Sequence, residues 1–214
     1  EDKKQTKARM LLEMDVTLTS GNASVLFGAR DASNVFMWSV NTLDNEKEPL
    51  IRRHIYDRGR LQSSDTPIGK FFTKSDLLNK EHHLAIEAKD GVVKTYIDKV
   101  LVDTYTDTDS KLSNGYIGFR AFRGNNTNET AMFDNIVLTE YEQKGDKEEA
   151  KVVLKEDFEK PQSAFEGGEI VSVGGNRKLN MVSGSGDYRV LQVDMSGVPV
   201  FRKEFKAKKK IASA

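Results

Sequence analysis

The sequence predicts an all-β fold built as an antiparallel sandwich, and three observations carry that prediction. Apolar and polar residues alternate with a period of two in many short runs. Turn signals recur about every 8–12 residues. No stretch shows a convincing helical period over an ordinary helix length. In the first run, Met10, Leu12, Met14, Val16 and Leu18 alternate with Leu11, Glu13, Asp15 and Thr17. Ser20-Gly21-Asn22 then supplies a turn before strands near 25–30 and 34–40. Runs at 83–88 and 92–97 flank Lys89-Asp90-Gly91, where Asp-Gly favours a tight hairpin. Asp98-Lys99 separates the next strand, 100–104, and runs at 115–122 and 131–141 complete the set. The stretch 58–80 carries Gly59, Pro67 and Gly69 and lacks clear periodicity, so it is expected to be a loop with a helical turn near 75–79.

Composition narrows the function. The 214 residues hold 33 Lys+Arg against 33 Asp+Glu, a net charge of zero that argues against a dedicated nucleic-acid binder. Without cysteine there is no disulfide, thiolate metal site or cysteine nucleophile. No apolar run approaches the ~18 residues of a spanning helix, so no membrane partner is expected. The chain opens Glu1-Asp2-Lys3-Lys4 and reads as a mature or excised piece.

Seven of the ten residues 142–151 are charged, which suggests a solvated linker or a charged hairpin. Segments 9–142 and 152–214 are therefore expected to be separate units, with 143–151 between them. The second would hold strands near 152–154, 168–173, 178–182, 188–193 and 199–205, and it looks incomplete.

Several motifs then carry a resemblance. "TYIDKVLVDT" (Thr95–Thr104), "GYIGFRAF" (Gly115–Phe122) and "FDNIVLTEY" (Phe133–Tyr141) resemble concanavalin A-like, laminin-G-like jelly-roll domains of bacterial glycan-degrading enzymes. "VPVFRKEFKAKKKIASA" (Val198–Ala214) resembles the opening of the N-terminal domain of α-L-rhamnosidases, glycoside hydrolase family 78, and "EDFEKPQSAFEGGEI" (Glu156–Ile170) is similar to the lead-in of such chains. The resemblance implies an accessory module upstream of a catalytic barrel in a periplasmic or extracellular enzyme. It implies no catalytic residue and no cofactor for this segment.

Alternation separates two faces of the first unit. Ile51 and Ile55 point inward while Arg52, His54 and Tyr56 point out; Ile117, Phe119 and Ala121 point inward while Tyr116 and Arg120 share the other face. Met14, Leu84, Ile86, Ile117, Phe119 and Phe133 are expected in the core. A curved sheet presenting Arg52, Tyr56, Tyr116 and Arg120 suits sugars, because rings stack on their C–H faces and planar charged groups bind hydroxyls in pairs. Trp38 is either the floor of that face or a core ring.

Other candidates are weaker. Glu13 and Asp15 stand about 6.5–7 Å apart at strand rise, as paired glycosidase acids can, but Thr17 occupies the next position on that face. Asp107-Thr108-Asp109-Ser110 lacks most of a calcium loop. His54, His82 and His83 have no metal-ligand spacing. Three Asn-X-Ser/Thr sequons begin at Asn22, Asn125 and Asn128, and Lys206–Lys210 reads as a solvated strand edge. The function expected is a carbohydrate-binding module, against a structural spacer or an independent glycosidase.

Overall fold

The computed structural model describes residues 9–31, 33–106, 116–124, 127–161, 163–166, 168–182 and 186–192. In chain order come β1 (Arg9–Ser20), β2 (Asn22–Asp31), β3 (Asn34–Asn41), β4 (Leu50–Asp57), β5 (Arg60–Pro67) and α1 (Lys74–Leu77). Next are β6 (Glu81–Lys89), β7 (Val92–Ile97), β8 (Val100–Thr106), β9 (Tyr116–Gly124), β10 (Thr127–Asn128) and β11 (Thr130–Lys144). Last come β12 (Lys147–Glu156), β13 (Phe165–Glu166), β14 (Glu169–Val173), β15 (Asn176–Val182) and β16 (Gly186–Gln192).

These strands form two antiparallel sheets that pack as a sandwich, as the alternation predicts. The first has the order β14-β15-β11-β1-β6-β7-β8, with β12 also on β11. The second has the order β13-β16-β9-β2-β3-β4-β5, with β10 on β9. Met14, Leu84, Ile86, Ile117, Phe119 and Phe133 all lie in one buried core between them. The Phe119 and Phe133 rings, one from each sheet, have centroids 4.1 Å apart. The hairpin at Asp90-Gly91 forms with both residues at positive φ, 53° and 75°, the geometry whose twist matches the flanking strands.

Two expectations are corrected. Residues 60–67 form an edge strand paired with β4, where a loop is expected. Nearly every residue of β5 is exposed, so no apolar face marks it, and a polar edge ending in Pro67 protects the sheet from further pairing. The charged stretch 143–151 is not a boundary between separate sheets. β11 and β12 pair through it as a hairpin from Lys144↔Lys147 to Ile136↔Glu156. β12, β14 and β15 belong to the first sheet and β13 and β16 to the second. Phe158, Phe165, Leu179 and Met181 enter the same core as Phe119, because that core is only closed when their side chains fill it. Residues 193–214, including Lys206–Lys210 and the whole of the rhamnosidase-like segment 198–214, lie outside the described residues.

Candidate functional site

The strand register brings Arg52, Tyr56 and Arg120 onto one face of the second sheet, the face turned away from the core. Arg120 pairs with Ser24, Ser24 with Ser39, Ser39 with Arg52 and Arg52 with Asp65. These five residues make one polar row across β9, β2, β3, β4 and β5. In the middle of it the Ser24 and Ser39 hydroxyls share a hydrogen bond of 2.8 Å.

One end of the row is a fixed charge cluster. Arg52 donates from Nε to Asp65 Oδ1 at 3.0 Å and from Nη2 to Asp65 Oδ2 at 2.8 Å. A further bond of 2.8 Å runs from Nη2 to Glu46 Oε1. This two-pronged pairing holds the Asp65 carboxyl below its ordinary range and raises the Arg52 guanidinium above its own, the Asp65 hydrogen bonds being the main cause of the rise. Arg52 commits Nε and Nη2 to these carboxylates, and each carboxylate keeps lone pairs to accept further hydrogen bonds. Tyr56, four residues further along β4 on the same face, is half-buried against Leu26, Ala29, Val35 and Met37. At the other end Arg120 lies 4.8 Å above the Phe122 ring, with Nη1 3.7 Å from Met37 Sδ.

The middle of the face is closed to solvent: Ser24, Leu26, Met37 and Ser39 are all buried. Trp38 is a correction. It points to the inner side, 2% exposed, with its ring 4.9 Å from Phe27 and 5.6 Å from Tyr105. Strand alternation forces this, since Trp38 pairs with Arg53 and not with Arg52. Tyr116 lies in β9, and its side chain is outside the described residues.

Sequence reasoning missed Arg53 and Asp103. Arg53 shares the inward parity of Ile51 and Ile55, which was the available signal, and its Nη1 donates to Asp103 Oδ1 at 2.5 Å across the core. Also missed were Glu46 and Asp65, the carboxylates that fix Arg52, because they come from a loop and from the unpredicted strand β5.

The other candidates are placed apart from this face. Glu13 and Asp15 lie on the first sheet with His83 between them, its Nε2 3.4 Å from Glu13 and its Nδ1 3.2 Å from Asp15. Asp15 Oδ2 also accepts from Asn135 Nδ2 at 2.8 Å. His82 Nδ1 is 2.7 Å from Asp98 Oδ2, and His54 belongs to the second sheet. Among the described residues no group of three or more His, Asp or Glu is arranged to hold a metal. The loop at Asp107–Ser110 lies outside the described residues. Asn22 is buried and donates to Glu129 Oε1 at 2.9 Å, so its sequon is not presented as an acceptor.

No family model matches the chain, and no curated protein matches it. Among solved structures it is similar to the carbohydrate-binding module CBM66 from Bacillus subtilis, with 23% identity and a TM-score of 0.43 over 63% of this chain and 77% of that one. It is also similar to CG-16, a homodimeric agglutinin from chicken liver, at 10% identity and a TM-score of 0.39, covering 71% of this chain and 91% of that one. A third similar structure is the receptor-binding domain of a botulinum neurotoxin C/D mosaic serotype, at 8% identity and a TM-score of 0.33, covering 66% and 57%.

Proposed function

We propose that the chain is a non-catalytic carbohydrate-binding module of a secreted bacterial α-L-rhamnosidase acting on rhamnose-containing plant glycans. The observation that carries the reading is the shared outward face of Arg52, Tyr56 and Arg120 with the Glu46 and Asp65 carboxylates. There, Arg52 orients the two carboxylates so that their remaining lone pairs can accept sugar hydroxyls. Tyr56 offers a ring edge or face for C–H contact, and Arg120 supplies donors at the far end. Weak affinity would suffice, because tethering turns it into a high local concentration of glycan at a downstream catalytic domain. The motif resemblance at 95–104, 115–122 and 198–214 supplies the rhamnosidase part of the proposal.

The closed middle of the face favours a second reading, a spacer that packs against its neighbours and binds nothing. A glycan array probed with this chain separates the two. Binding to rhamnose-containing oligosaccharides supports the module, and binding to no glycan supports the spacer. Hydrolysis of an aryl rhamnoside by the chain alone would contradict both.

A further inference from the structure

At one end of the sandwich the turn between β1 and β2 faces the loop between β3 and β4 across an open cleft of about 320 Å³, which none of Arg52, Tyr56 and Arg120 lines. That is the lower end of the range for small-ligand sites. Its frame is fixed from several sides. The Gly21 carbonyl accepts both the backbone N–H of Thr42, at 2.9 Å, and its hydroxyl, at 3.0 Å. Ser20 Oγ donates to the Asn128 carbonyl at 3.1 Å. Lys74 Nζ reaches from α1 to the carbonyls of Leu43 and Glu46, at 2.5 and 2.7 Å. The same loop is held again where Arg52 binds Glu46 and where Glu48 accepts the Gly69 N–H at 3.0 Å. Gly21 has φ +71°, and a Cβ there would lie 2.4 Å from the Asn128 carbonyl oxygen, so this wall admits only glycine.

With the backbone groups so committed, three polar side chains lining the cleft remain available. The Asp44 carboxylate, the Thr19 hydroxyl and the Asn128 carboxamide line it, and none of them has a hydrogen-bond partner among the described residues. Leu43 and Leu78 line the same space. Among the residues that line the cleft Asp44 alone carries a formal charge, and Lys74 behind the loop is turned onto carbonyls. An anionic ligand would be repelled. A neutral polyol fits: the carboxylate can accept from adjacent hydroxyls, the amide can both donate and accept, and the leucines can cover C–H bonds.

We infer that this cleft is a saccharide subsite for a neutral sugar residue, distinct from the Arg52–Tyr56–Arg120 face. The inference rests on the carbohydrate-binding reading. The preformed frame means that little ordering accompanies binding, which lowers the entropic cost of taking up a sugar.

The test is amide NMR of the whole chain titrated with L-rhamnose, D-glucose and D-galactose, repeated with Asp44→Asn and Asn128→Ala. Both positions are exposed, and each spectrum reports directly whether the variant is folded. The expected result is amide shifts at 19–21, 42–44 and 128 with at least one sugar. Asp44→Asn should then weaken binding by about tenfold or more, the effect of losing a charged hydrogen-bond acceptor. Shifts confined to 52–56 and 120, unchanged by Asp44→Asn, would overturn the cleft and leave the carbohydrate-binding reading standing. No shift with any sugar would overturn both. Shifts at 42–44 with calcium and with no sugar would overturn the saccharide assignment.

Discussion

Arg53 and Asp103 meet across the interior of the sandwich, joining β4 of one sheet to β8 of the other through an Nη1–Oδ1 contact of 2.5 Å. Their side chains are 10% and 1% exposed. Arg53 also donates to Ser64 Oγ and Thr66 Oγ1, each at 3.0 Å, and its guanidinium lies 5.3 Å from the Tyr105 ring centroid. Asp103 Oδ2 is buried with no partner among the described residues. Desolvation of both ions offsets much of their attraction, so the pair fixes sheet-to-sheet register more than it adds stability.

That balance gives the first prediction. Asp103→Ala strands a buried guanidinium and should cost about 3–5 kcal/mol in urea unfolding. Replacing both partners, Arg53→Met with Asp103→Leu, should recover most of the loss. An Asp103→Ala cost below about 1 kcal/mol would mean that the pair is solvated in solution.

Phe119 tests the continuity of the core. It is fully buried, with ring centroids 4.1 Å from Phe133 and 5.2 Å from Phe165. Phe119→Ala should cost about 3–5 kcal/mol. A chain ending at Lys144 should lack a cooperative unfolding transition, because it exposes Phe119 and Phe133 where Phe165, Leu179 and Met181 now pack. Cooperative folding of that shorter chain would restore the idea of two units.

How far the sequence could be read follows from the same residues. Strands with a buried apolar face, such as Met10–Leu18 and Ile117–Ala121, announce themselves by alternation. β5 does not, since an exposed polar edge has no face to alternate. The charged hairpin at 144–147 resembles a linker because its residues are solvated, and only the pairing of Val137 with Lys155 and Leu138 with Leu154 reveals it as sheet. For the candidate face, parity is enough to turn Arg52, Tyr56 and Arg120 each outward, but that β4 and β9 share one sheet follows only from the strand order. Parity leaves Trp38 between floor and core because its strand is apolar on both faces, and only its pairing with Arg53 puts it on the inner side. The Glu46 and Asp65 partners of Arg52 depend on tertiary contacts that no local pattern contains.

Acid should weaken the fold through Asp65 in a defined direction. Its native pKa lies below the ordinary 3.8 because of Arg52, so the unfolded chain binds its proton first. The stability from this group is present above about 3.8 and is lost as pH falls through the lower native value. Asp134 has the opposite sign, since burial raises its pKa despite Lys178 nearby; its contribution is lost as pH rises past 3.8 and through the native value. Urea unfolding against pH should therefore show a shallower acid slope for Asp65→Asn and a steeper rise with pH for Asp134→Asn. Identical profiles for the two variants would contradict these assignments.

Gly21→Ala should destabilise by more than about 1 kcal/mol, because it joins a positive φ to a clash with the Asn128 carbonyl. Thermal unfolding measures it, and a neutral result would mean that the turn between β1 and β2 relaxes freely.

The most direct test of the carbohydrate-binding account is the melting temperature of this chain with rhamnose-containing oligosaccharides, for the native sequence and for Arg120→Ala. At a hundred times its dissociation constant a ligand should add about 2.7 kcal/mol of stability to the native chain. Arg120 is half-buried against Phe122 and Met37, so its truncation alone should cost about 1 kcal/mol or less. The account predicts a clear upward shift for the native chain and none for folded Arg120→Ala. No shift for the native chain with any such oligosaccharide, or an equal shift in both proteins, would contradict it.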